Sequence, residues 1–127
     1  VSSVVLDASA LLAVLRKEKG AAVVERHLEG AVISAVNYSE VLKKTVEAGG
    51  MIEAASAFIE GLQLTIVPFG QPQAEVAANL FPKTRNKGLS FADRACLGLA
   101  LELSLTALTT EEKWEQCDTG VKVVRIR

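Results

Sequence analysis

The sequence predicts a single α/β domain, residues 1–127, built on a mostly parallel five-stranded sheet with helices on both faces. Three observations carry that expectation. The chain has 127 residues, half of them apolar, which suits one core and is too short for two. Five short apolar or β-branched runs alternate with segments whose apolar residues recur at helical spacing. The segments between runs can hold the crossover helices that parallel neighbours require. No internal repeat, low-complexity stretch or interdomain linker interrupts the pattern.

The first run, Val4-Val5-Leu6, ends at Asp7 and leads into the helix formers of Ala8 to Leu15. Gly20 breaks that helix, and Ala21 to Leu28 reads as a second one closed by Gly30. Ala31-Val32-Ile33 is the next strand, after which Ser34 caps a helix over Ala35 to Ala48 with Val41, Leu42, Thr45 and Val46 as its inner stripe. Gly49-Gly50 ends it. Met51 to Leu62 fits a helix, and Leu64 to Val67, stopped by Pro68, fits a buried strand. Ala74 to Phe81 reads as helical and Pro82 to Gly88 as a connecting segment. Ser90 opens a long helix whose stripe runs from Cys96 to Leu103. Ala107-Leu108-Thr109 is a strand, Glu111 to Cys117 a short helix containing Trp114, and Val121 to Ile126 the last strand.

Fourteen basic against fifteen acidic residues leave a formal charge of −1, so no global electrostatic footprint marks a nucleic-acid binder. If four of the acids hold cations, the remaining surface is net basic, and Lys83, Arg85 and Lys87 form a local run suited either to a phosphate backbone or to a solvated loop. Cys96 and Cys117 have no partner at a metal or redox spacing and read as reduced, buried thiols. No apolar stretch approaches the ~20 residues of a membrane span, and a cytoplasmic location is expected. The chain opens on Val1 without a methionine, as expected of a trimmed start.

Four acids fall where an open α/β sheet binds ligands, beyond the carboxyl ends of its strands. Asp7 ends the first strand, Glu111 follows the fourth, Asp93 lies in the first turn of the long helix, and Glu40 borders the apolar stripe of the helix after the second strand. Each has a plainer reading. Asp7 suits an N-cap, Ser90 to Asp93 a capping box, Glu111 a helix start and Glu40 an exposed surface. The fold places at least three of the four on one rim, with no obvious Lys or Arg beside each, which argues for a cation. Carboxylates without thiols or imidazoles suit Mg²⁺ or Mn²⁺ and phosphoryl chemistry. The only histidine, His27, lies in an ordinary amphipathic helix, which speaks against histidine-based catalysis.

These residues resemble the PIN domain and, within it, the VapC toxins of toxin–antitoxin pairs. The resemblance spans essentially the whole chain. Val5 to Leu11 is similar to the family's first acidic segment, Ile33 to Val41 to the second, Leu89 to Leu97 to the third and Leu108 to Trp114 to the fourth. In the fourth, Glu111 stands where the family commonly has aspartate. The resemblance implies Mg²⁺- or Mn²⁺-dependent endonucleolytic cleavage of RNA, with Asp7, Glu40 and Asp93 holding the metal and Glu111 completing the site. Ser9 and Thr109 would orient carboxylates or water, unless they only cap helices. Lys43, Lys44, Arg85, Lys87 and Arg94 are candidates for contacting the RNA backbone. A homodimer and a cognate VapB-like antitoxin are implied partners, and exposed apolar surface on the early helices would suit the latter. A two-component receiver domain would need paired acids at the first strand, and a HAD-type phosphatase a second aspartate where Ser9 stands. The alternative that remains is a PIN-like domain that binds RNA or protein without cutting, with Glu111 as the mark of lost activity.

Overall fold

A computed structural model describes residues 3–127; the expectation on Val1 lies outside them. Five strands form one sheet: β1 (Val4–Leu6), β2 (Val32–Ser34), β3 (Thr65–Val67), β4 (Thr106–Thr109) and β5 (Val123–Arg125). Their order is β3-β2-β1-β4-β5, and every neighbouring pair is parallel. Each strand is only three or four residues long, so the pleat sends alternate residues into two separate cores. Leu6, Ile33 and Leu108 face one side with Leu11, Val24 and Val41. Val5 and Ala107 face the other with Leu97, Cys96 and Trp114.

The helices follow from local chemistry with shifts at their ends. α1 (Ala8–Arg16) stops before Gly20, because Lys17 takes a left-handed conformation with φ 55° and its N–H closes onto Ala13 and Val14 carbonyls. α2 (Ala21–Glu25) is shorter than the expected Ala21 to Leu28. In α3 (Ala35–Glu47), Ser34 Oγ caps Val36 N at 3.2 Å. Val41 is buried as expected, but Val46 is exposed and Asn37 takes an inner place. α4 covers Ile52–Gly61.

α5 (Gln71–Asn79) begins three residues earlier than the apolar pattern indicated. Gly70 N donates to Gln73 Oε1 at 2.9 Å, and Pro72 sits in the first turn, where a missing N–H costs nothing. The expected connector Pro82 to Gly88 is largely helical: α6 (Phe81–Thr84) runs into a 3₁₀ turn over Arg85–Lys87. Thr84 anchors it from within, donating its buried hydroxyl to Leu80 O at 2.8 Å. α7 (Phe91–Leu103) crosses beneath the sheet, and the segment holding Trp114 is a 3₁₀ turn, Glu112–Gln116, rather than a helix from Glu111 to Cys117. Among the described residues no helix is long and apolar enough to cross a membrane.

Candidate active site

From β1 the chain builds outward to β2 and β3, then returns to place β4 on the other flank of β1. The boundary between β1 and β4 is therefore the topological switch point, where the loops diverge and leave a crevice. β1 delivers Asp7 to that crevice and β4 delivers Thr109. Asp7 N donates to Leu108 O at 3.0 Å, extending the ladder to the lip of the sheet.

Asp7 occupies the N-cap position of α1, yet its side chain makes no capping bond. Instead its Oδ2 accepts from Ser9 Oγ at 2.7 Å and from Thr109 Oγ1 at 2.8 Å. Those hydroxyls are oriented in turn, because Thr110 N donates to Ser9 Oγ and Glu111 N to Thr109 Oγ1, each at 3.0 Å. Two backbone N–H groups thus occupy hydroxyl lone pairs and turn both hydroxyl protons toward one carboxylate oxygen. Ser9 and Thr109 orient the acid and cap no helix.

Asp7 is 4% exposed, and no Lys or Arg pairs with it among the described residues. Burial lifts its pKa from 3.8 to about 6; the Ser9 and Thr109 bonds pull it down, and the charges of Asp93 and Glu40 push it up. Asp93 and Glu40 therefore lie near enough to be felt. Glu111 is exposed and precedes the 3₁₀ turn. Cys96, fully buried one turn beyond Asp93, feels all three acids, and burial with their charges holds its thiol protonated well above the usual range. Cys117 is only half-buried, unlike the expectation for both thiols.

Asp93 sits in the capping box, its Oδ2 accepting from Ser90 N at 2.8 Å while its own N donates to Ser90 Oγ at 3.1 Å. That bond leaves Oδ1 for another partner. The turn is clamped from both flanks. Asn37 Nδ2 donates to Ala92 O at 3.0 Å, and Arg94 Nη1 donates to Ala77 O at 3.1 Å. Asn37 is fully buried and its Oδ1 has no partner. It lies three residues before Glu40, on the same helical face, so one side chain ties the helix bearing Glu40 to the turn bearing Asp93. The sequence signal was an asparagine one turn before Val41, inside the apolar stripe.

The basic candidates separate. Arg94 is drawn into packing: its guanidinium lies 5.5 Å from the Phe81 ring centre and 6.0 Å from that of Phe91, with Nε buried. Its geometry is that of a strut between α5 and α7 and not of a free phosphate contact. Lys43 pairs with Glu47 at 3.4 Å on the solvent side of α3, and Lys44 is half-buried. Arg85 and Lys87 are exposed and have no ion-pair partner among the described residues.

Among the described residues, no three carboxylates, thiols or imidazoles stand close enough to form a ready-made cage for an ion. The donor set nonetheless fits Mg²⁺ or Mn²⁺. It offers hard oxygens only, with one buried anion lacking a cationic partner, and Mg²⁺ keeps several waters while using one or two carboxylates plus substrate phosphates. Asp7, Glu40 and Asp93 would hold such an ion, with Ser9 and Thr109 behind Asp7.

The PIN domain family model matches residues 4–119. No curated protein matches by sequence. Solved structures do match in fold. A toxin–antitoxin complex from Klebsiella pneumoniae superposes with TM-score 0.78 at 17% identity, covering 98% of each chain. DNA-bound VapBC from Salmonella typhimurium gives 0.76 at 16%, covering all of both chains. VapBC-1 from nontypeable Haemophilus influenzae gives 0.74 at 18%, covering 98% of each.

Proposed function

Because the chain belongs to the PIN domain family, we propose that it is a metal-dependent endoribonuclease, the toxin of a VapBC-type toxin–antitoxin pair. The observation that carries this reading is Asp7: a buried carboxylate without a cation, fixed by Ser9 and Thr109 and facing the charges of Glu40 and Asp93. A bound Mg²⁺ or Mn²⁺ would supply an activated water and neutralise charge on the leaving oxygen of a phosphodiester.

The chain's own residues prepare that chemistry. Ser9 and Thr109 hold Asp7 Oδ2, so the orientation of the acid is set before an ion arrives. Asp93 keeps one oxygen on Ser90 N and presents the other, while Asn37 fixes the spacing between the helices that carry Glu40 and Asp93. Arg85, Lys87, Lys43 and Lys44 add positive charge for the RNA backbone.

The toxin reading also draws on the neighbours, which are toxin–antitoxin complexes. Met51, Ile52 and Phe58 of the early helices are exposed beside an apolar groove lined by Leu12, Leu15, Thr45 and Ala55, a surface of the kind an antitoxin segment would cover. A homodimer working in the cytoplasm completes the proposal. The exposure of Glu111 favours a second reading in which the domain binds RNA or protein and cuts weakly or not at all.

The test is incubation of the antitoxin-free chain with a panel of structured RNAs in Mg²⁺, Mn²⁺ or EDTA, beside Asp93→Asn. Discrete cuts that need the metal and vanish in the variant support the nuclease. A folded protein that binds Mn²⁺ and cuts nothing supports the second reading.

A further inference from the structure

Two backbone N–H groups, those of Thr110 and Glu111, turn the Ser9 and Thr109 hydroxyls toward Asp7, and neither residue belongs to a strand or helix. Upstream the sheet fixes them, because Ile126 N donates to Thr109 O at 3.0 Å. Downstream they depend on how the 3₁₀ turn Glu112–Gln116 sits. Trp114, 1% exposed, pins that turn to the core that holds Leu97 and Cys96. One anchor alone leaves the turn free to pivot about it.

Glu112 and Glu115 flank the anchor three residues apart, one turn of a 3₁₀ helix, so their side chains lie on one side of it. Both reach Arg125, the residue paired with Thr109 in the sheet register. Glu112 Oε2 lies 3.5 Å from Nη1 and Glu115 Oε1 3.1 Å from Nε. A guanidinium fork holds two carboxylates at once in a fixed geometry. Ion pairs this open contribute little to global stability, the two carboxylates being 72% and 48% exposed. What they restrict is the pivot of the turn, and with it the direction of the two N–H groups.

We propose that Arg125 is a positioning residue for the candidate metal site: through Glu112 and Glu115 it fixes the segment Thr110 to Glu111, whose N–H groups hold the Ser9 and Thr109 hydroxyls on Asp7. It touches neither ion nor substrate. The proposal rests on the metal-site reading for its effect on ion affinity, and on the chain of hydrogen bonds alone for its effect on the segment.

The test compares Arg125→Gln and Arg125→Lys with the unaltered chain. In EDTA, amide exchange followed by NMR should speed up about tenfold at Thr110 and Glu111 in Arg125→Gln, while the amides of β1 and α7 exchange as before and the melting temperature drops by only a few degrees. Trp114, the only tryptophan, should keep its emission maximum, since its burial does not depend on the ion pairs. Mn²⁺ titrated by calorimetry should bind about fivefold more weakly to Arg125→Gln. The sign separates positioning from charge, because removing a nearby cation without moving anything would tighten Mn²⁺ binding. Arg125→Lys keeps the charge but not the fork, and should show part of the same loss. The proposal is overturned if exchange at Thr110 and Glu111 is unchanged, if it rises equally throughout the protein, or if Mn²⁺ binds Arg125→Gln at least as tightly as the unaltered chain. An unaltered chain that binds no Mn²⁺ removes the metal reading instead, and the exchange rates then decide the role of Arg125 by themselves.

Discussion

In Asp7→Asn, one oxygen of a buried carboxylate becomes an amide nitrogen and the charge disappears, while an acceptor remains for Ser9 Oγ and Thr109 Oγ1. The unaltered carboxyl is held by burial at a pKa of about 6, against 3.8 for the free group. Between those values the folded chain binds a proton that the unfolded chain has released, so stability falls as pH rises from about 4 to about 6. The gap corresponds to about 3 kcal/mol, fully lost above pH 6. Without metal, the Asn variant escapes that loss. It should match the unaltered chain near pH 4 and exceed it by up to about 3 kcal/mol at pH 7, on the order of 10 °C in melting temperature. Mg²⁺ should close that gap, because only the carboxylate form gains from ligand linkage: about 2.7 kcal/mol at a hundredfold excess over the dissociation constant, and about 4.1 kcal/mol, enough to reverse the order, at a thousandfold. Thermal melts from pH 4 to 7.5, in EDTA and in Mg²⁺, decide the matter. Parallel stability profiles for the two proteins in EDTA, or an Asn variant less stable at pH 7, would refute the idea that Asp7 is a destabilising anion awaiting a cation.

Other substitutions probe the supports. Asn37→Ala should lower thermal stability by only about 1 kcal/mol, since the lost bond to Ala92 is partly offset by removing an unpaired buried oxygen; Mn²⁺ affinity by calorimetry should fall well beyond what the melt shows. Gly20→Ala should cost about 2–4 kcal/mol in urea unfolding, because φ is +96° and a Cβ would stand 2.7 Å from Ile126 O. Glu111→Gln should change Mn²⁺ affinity less than threefold, whereas Asp93→Asn, measured alongside, should abolish detectable binding; equal losses would put Glu111 among the ligands.

The architecture was legible where chemistry is local. Val4-Val5-Leu6 before Asp7, Ser34 before α3 and the Ser90 box announced their elements because strand runs and caps are written in adjacent residues. Pro82 to Gly88 was misread because a proline at the second position of α6 looks like a break, and the anchor that makes the segment helical is the buried hydroxyl of Thr84. Val46 and Asn37 exchanged roles because the spacing of a stripe does not say which edge of it meets α7. Arg94 looked like a phosphate contact in the sequence, and only its long-range partners, Ala77 and two phenylalanines, draw it into the packing. At least three of Asp7, Glu40, Asp93 and Glu111 were expected on one rim from topology, and Ser9 and Thr109 were offered as supports; the Ser9 bond to Asp7 is local, while the Thr109 bond reaches it across 102 residues.

That span also sets a clock. Asp7 and Thr109 are 102 residues apart in the chain, and β4 takes its place beside β1 only after everything between them has been made. A ribosome adds about 5–20 residues per second, so the first acid emerges seconds before the hydroxyl that will orient it. During that interval the chain carries a loose aspartate and no prepared crevice, because closing so long a loop is among the later events of folding. A destructive activity built on this seam would be withheld from the unfinished polypeptide, and any cleavage or frameshift before residue 109 would release a fragment lacking the seam.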